Sequence, residues 1–200
     1  MRQPYTIGPV LAYHGCDRAV ASNVFENEAN LVLSENPYDW LGSGIYFWVD
    51  SPIRALSWAV EKKNRGEIKK PYVIGAYITL GNCLNLTDID TAREVKDAYS
   101  VMKEAYKFLD KPMPVNSRKT PDGTHIFRDL DCAVIETLHQ MREDEGRIPY
   151  DTVLGVFEEG GELFDGSALR EKSHIQIVVR NHSAIIAYLP VRNIDPAEFS

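Results

Sequence analysis

Two glycines, two residues apart, run straight into an aromatic segment: Tyr38-Asp39-Trp40-Leu41-Gly42-Ser43-Gly44-Ile45-Tyr46-Phe47-Trp48. Gly42 and Gly44 free the backbone for positive φ or for close approach to a bound molecule. Ile45, Tyr46, Phe47 and Trp48 favour a strand. Asp50-Ser51-Pro52 then opens a helix, with Ser51 suited to cap it and Pro52 to its first turn. Alone, the stretch reads as a tight turn into a core strand, since aromatic runs are usually buried. It would also make a wall for a flat aromatic ligand.

Around it the chain alternates short strands and helices. Strands are expected at Pro9–Tyr13, Leu31–Leu33, Tyr72–Leu80, Cys83–Leu86, Thr152–Phe157, Ile175–Val179 and Ala184–Leu189. Helices are expected at Arg18–Asn27, with Asp17 as cap, and at Pro52–Arg65. Two more run from Thr87 or Asp88 to Leu109 and from Arg128 to Arg142. Residues 110–124 hold Pro112, Pro114, Pro121 and Gly123 among polar residues and read as a loop. Two hundred residues, 44% of them hydrophobic, suit one domain spanning 1–200.

The formal net charge of −7 argues against tight nonspecific binding to DNA or membrane, while leaving room for one basic groove. Cys16, Cys83 and Cys132 form no CxxC pair, which points to a reducing cytoplasmic setting rather than a disulfide framework or zinc site. Met1-Arg2-Gln3-Pro4-Tyr5 has no apolar run after its charge, so no signal peptide is expected. No apolar stretch of about 20 residues occurs, so no membrane span is expected. His125, His139 and His182 lack metal-ligand spacing, and no metal is expected.

A second stretch, Leu11-Ala12-Tyr13-His14-Gly15-Cys16, sits upstream of Gly42-Ser43-Gly44-Ile45-Tyr46-Phe47. Together they resemble the ADP-ribosyltransferase superfamily on its diphtheria-toxin and poly-ADP-ribose polymerase side. That family carries His-Gly at the end of its first strand, then a Gly-x-Gly-Ile-Tyr-Phe strand, and much later a catalytic Glu on a strand. Counting back from Asn181 in Ser173-His174-Ile175-Gln176-Ile177-Val178-Val179-Arg180-Asn181 puts Gln176 at the Glu position. The chain thus looks like a His14–Tyr46–Gln176 version of the family's His–Tyr–Glu. The resemblance covers residues 10–60 and 150–190 and leaves the middle unmatched.

The resemblance implies an α+β fold: a split β-sandwich of two mostly antiparallel sheets around an NAD cleft, with peripheral helices and a helical insertion at about 88–145. It implies NAD⁺ as co-substrate and transfer of ADP-ribose to a protein or nucleic-acid acceptor, with release of nicotinamide. His14 would bond a ribose hydroxyl, and the Gly15 backbone would pair with the carboxamide. Tyr46 would stack on the nicotinamide, with Trp58 as opposite wall. Gln176 would accept a hydrogen bond but carries no charge. Glu171, Glu162 or Asp165 would then supply the missing charge. His174 lies on the Gln176 strand face, either orienting Gln176 or simply ending the strand.

Use as a bacterial toxin or defence effector would imply an antitoxin or immunity partner. The alternative is an NAD-binding module of the same fold with little catalysis. A third reading, an RNA 2′-phosphotransferase, expects several Arg and His around a phosphate, which the His14/Tyr46 neighbourhood lacks. No Gly-x-Ser-x-Gly elbow marks a serine hydrolase. Gly42-Ser43-Gly44 precedes a strand rather than opening a helix, against a dinucleotide dehydrogenase.

Overall fold

The computed structural model describes residues 8–120 and 123–192. Its strands are β1 (Val10–Asp17), β2 (Ile45–Val49), β3 (Pro71–Ile78), β4 (Cys83–Asn85), β5 (Ser117–Lys119), β6 (His125–Phe127), β7 (Thr152–Phe157), β8 (His174–Val179) and β9 (Ile185–Pro190). Its helices are α1 (Arg18–Glu26), α2 (Pro52–Asn64), α3 (Ile89–Phe108) and α4 (Asp129–Asp144). The chain is therefore α+β.

β1 runs longer than its apolar residues suggest. It pairs with β3 along its whole length, from Val10↔Ile78 to Asp17↔Pro71. His14 and Gly15 consequently lie inside the strand rather than at its end. Asp17 caps α1 by accepting from the Ala19 amide at 2.9 Å, and also holds the Lys69 and Lys70 amides. Ser51 occupies the cap position of α2 but makes no side-chain cap bond, leaving Pro52 to set the first turn. No strand forms at Leu31–Leu33; the adjoining Ser34 makes a single bridge to Gly44.

One mixed sheet carries the order β4-β7-β8-β2-β1-β3-β9, and β5-β6 form a separate ribbon, β5 inside the stretch expected to be a loop and β6 just past it. Only β4–β7 is parallel; the other pairs among the described residues are antiparallel. The two expected sheets are thus joined into one. Their seam is narrow, because β1 and β2 pair at only Ala12↔Val49 and Tyr13↔Trp48 before they diverge.

Directly paired residues share a sheet face. One face carries Ala12, Cys16, Ile45, Phe47, Ile74, Ile177 and Val179, packed against Ala21 and Val24 of α1. The other is covered in two places. α2 lays Ala55, Leu56 and Val60 on Trp48 and Val73. α3 and α4 bring Ala98, Met102, Val134, Ile135 and Leu138 onto Leu41, Val153 and Val178. On α3, Ala98 and Met102 are buried, while Tyr99, and Leu109 just past the helix end, are exposed. Among the described residues no helix is long and apolar enough to cross a membrane.

Candidate active site

The motif strands, far apart in sequence, lie side by side at the sheet centre as β8-β2-β1. Trp48 pairs with Gln176 on one side and Tyr13 on the other, and Tyr46 pairs with Val178. Tyr46, Trp48 and Gln176 therefore share the face that α2, α3 and α4 cover.

His14 pairs with Ile74 and belongs to the opposite face. It stands where β1 and β2 part. Its ring lies 5.6 Å from that of Phe47, and Nδ1 is 2.8 Å from the Tyr46 carbonyl. A carbonyl only accepts, so Nδ1 carries the proton and Nε2 is the acceptor. Burial lowers the His14 pKa to about 4, so the ring is neutral with a fixed tautomer.

Gly15 sits under α2. A Cβ built there would lie 2.1 Å from the Ala55 carbonyl oxygen, so the glycine permits strand and helix to touch. The Tyr46 hydroxyl donates to Gly42 O at 2.7 Å and accepts from the Leu41 amide at 2.9 Å. Its phenol thus ties down the turn that precedes its own strand, and burial raises its pKa. Trp58 packs with the α2 group, 6.2 Å from the Trp48 ring, while Tyr46 packs with the α3–α4 group. The guanidinium of Arg65 lies 4.9 Å from the Trp58 ring.

Gln176 marks a polar cluster that the family pattern did not foretell. It is 7% exposed, His174 7% and Trp48 3%. Gln176 Oε1, His174 Nε2, Trp48 Nε1, and Nε and Nη1 of Arg54 are all buried without a hydrogen-bond partner. Buried polar atoms are normally satisfied, so such a concentration marks a place built for a ligand or water. Arg54 Nη2 donates to Glu159 Oε2 at 2.7 Å, linking α2 to the segment after β7. Its guanidinium lies 5.6 Å from the Trp48 ring.

His174 is oriented by two groups: Nδ1 is 2.7 Å from Lys172 O and 3.4 Å from Glu159 Oε2. Burial, with the charges of Arg54 and Arg128, lowers its pKa against the pull of Lys172 O and Glu159. Glu159, rather than Glu171, Glu162 or Asp165, is the carboxylate at this cluster. Glu162 instead accepts from the Gly166 amide, and Glu171 lies against Gly160 and Gly161.

Gly155, the other neighbour of Gln176, leaves room that Leu41 and Phe157 fill. Beyond Phe157, 5.7 Å from His174, a hollow of about 360 Å³ lies between α3 and α4. Trp40, Val95, Tyr99, Arg128, Val134 and Phe157 are among its walls. The thiols are poor nucleophiles, because burial pushes Cys16 up to about 12 and Cys132 to about 11.

Trp48 was legible by parity, two residues from Tyr46 on one strand. Arg54 and Glu159 come from separate segments, and no local pattern ties them to Gln176. No protein-family model, curated protein or solved structure matches the chain.

Proposed function

We propose that the chain transfers ADP-ribose from NAD⁺, releasing nicotinamide, on a split-sandwich variant whose two halves meet at the β1–β2 seam. The observation that carries this reading is the unpartnered polar cluster around Gln176, on the strand next to the Gly-x-Gly-Ile-Tyr-Phe motif. A ribose hydroxyl both donates and accepts. The cluster offers acceptors in Gln176 Oε1 and His174 Nε2 and donors in Trp48 and Arg54, and so suits a sugar better than a purely anionic ligand. The Arg54 guanidinium would also favour the diphosphate. Trp48 and Trp58 supply aromatic surface for the cationic nicotinamide. Cleaving the glycosidic bond builds positive charge on the ribose, which oriented acceptor dipoles stabilise.

The binding-module reading keeps one specific support: Gln176 is uncharged, and the nearby Glu159 is engaged by Arg54 at 2.7 Å. Nicotinamide release and NAD⁺ binding by wild type, Gln176→Ala and Trp48→Phe separate the two. For a transferase, Gln176→Ala is expected to slow release by about 10²–10³-fold, the usual cost of one preorganised polar group. Trp48→Phe keeps a ring but drops the indole N–H, and is expected to weaken NAD⁺ binding. Equal release by wild type and Gln176→Ala would sink this site assignment. Saturable binding without release would leave the module.

A further inference from the structure

Resting on the ADP-ribosyl-transfer reading, we propose that His174 is the general base of the reaction and that the acceptor is a hydroxyl group. Three features of the structure carry this. His174 Nε2 is buried without a partner, on the face and strand of Gln176, two residues away. Nδ1 is held by the Lys172 carbonyl at 2.7 Å, which fixes the proton there and leaves Nε2 as a lone pair. The Glu159 carboxylate, 3.4 Å from Nδ1, stands where it would stabilise the imidazolium once a proton has been taken. A base positioned by a carboxylate is the arrangement that general-base catalysis requires.

The surroundings choose the acceptor. Arg54 from α2 and Arg128 from the start of α4 both press positive charge on His174, which disfavours a cationic guanidinium or ammonium acceptor. A carboxylate acceptor has no proton to give up at neutral pH, and a base would be idle. A hydroxyl is neutral and must lose its proton as it attacks. Glu159 is the carboxylate facing the ring; the Lys172 ammonium turns away to Glu61 at 3.3 Å.

The step balances. The acceptor oxygen bonds to C1 of the nicotinamide ribose as the C1–nitrogen bond breaks. That bond's electron pair stays on the ring nitrogen, discharging the pyridinium and releasing neutral nicotinamide. The hydroxyl proton passes to His174 Nε2 and from there to water. Glu159 acts through His174 and is a positioning residue.

The test uses the full chain with NAD⁺ and two probe acceptors, methanol and agmatine. Wild type is expected to form the methyl glycoside of ADP-ribose and no agmatine adduct. His174→Ala is expected to lose about 10²–10⁴-fold in methanolysis measured at saturating NAD⁺. Added imidazole, entering the space left by the ring, is expected to restore part of that rate. Glu159→Gln is expected to move the acid limb of the rate profile to lower pH, because the imidazolium loses its counter-charge. Nitrogen NMR of the ring, independent of turnover, is expected to show the Nδ1–H tautomer at neutral pH and the same downward move in Glu159→Gln. This variant decides the matter if His174→Ala does not fold. An unchanged rate in His174→Ala, or an acid limb and ring titration unmoved in Glu159→Gln, would overturn the base. Agmatine as the productive acceptor would overturn the hydroxyl class. Wild type that neither binds nor cleaves NAD⁺ would overturn the transfer reading itself, and this proposal with it.

Discussion

At the scale of single residues, two motif positions do structural work that a family pattern does not mention. Tyr46 spends its hydroxyl on the Leu41–Gly42 turn, and Gly15 lets α2 touch β1. Gly15 has no positive φ, so space rather than backbone freedom demands the glycine. A methyl there meets backbone, which cannot rotate away as a side-chain tip can. Gly15→Ala is therefore expected to lift α2 and to cost about 1–3 kcal/mol, the usual range for overpacking. Urea unfolding checks this: a lower midpoint at unchanged slope is the expected result. A midpoint equal to wild type would mean that α2 is free to shift.

At the scale of elements, one carboxylate joins three of them. Glu136 of α4 accepts from the Ser43 amide at 2.7 Å and from Arg180 at 2.7 and 3.2 Å. Arg180, just past β8, also donates to Ser43 O at 2.9 Å. The turn before β2, the end of β8 and α4 are thereby locked together. Burial opposes the Glu136 charge, but the bonds from Arg180 and Ser43 and the charge of Arg180 outweigh it, and its pKa is lowered. A lowered carboxyl pKa adds stability above its unfolded value, and that stability disappears as pH falls through the folded value. Glu136→Gln is expected to cost about 1 kcal/mol at neutral pH, near the low end for a charged hydrogen bond in a partly exposed pair. The deficit should close in acid, below the ordinary carboxylate range. Thermal melts of both proteins across pH check it, and a deficit independent of pH would point to packing instead.

The same elements show what the sequence carries. β2, β7 and β8 were readable because their apolar and aromatic residues are bounded by turns, and α4 because its apolar residues repeat at helical spacing. The face of His14 was not, since it depends on β1 pairing with β3 out to Asp17↔Pro71. Nor was the parallel β4–β7 pair, because Cys83–Asn85 is short and Gly81-Asn82 suggests a return. The Gln176 strand face was legible by parity, which placed His174 and Gln176 together. The Arg54–Glu159 contact spans 105 residues of sequence and appears only when α2 and the segment after β7 meet.

At the scale of the whole molecule, the sheet's two halves meet at the two β1–β2 pairs, and a half-buried neutral imidazole sits beside that seam. His14 has its pKa lowered to about 4 by burial. His139, against α4's partner Tyr150 at 5.9 Å, is also lowered to about 4, by burial and by Arg180. In the unfolded chain both rings would take protons near pH 6.5. Between these values the unfolded state binds more protons than the folded one, so stability falls as pH falls. His14 alone is expected to remove about 2 kcal/mol between pH 7 and 5, and His139 acts in the same direction. The loss precedes the Glu136 effect, because it begins above the carboxylate range. Urea midpoints at pH 7, 6 and 5 measure it. His14→Gln, which keeps a donor for the Tyr46 carbonyl but cannot take a proton, is expected to flatten the slope. An equally steep slope in that variant would place the acid-sensitive group elsewhere, and the seam would then hold without a neutral ring beside it.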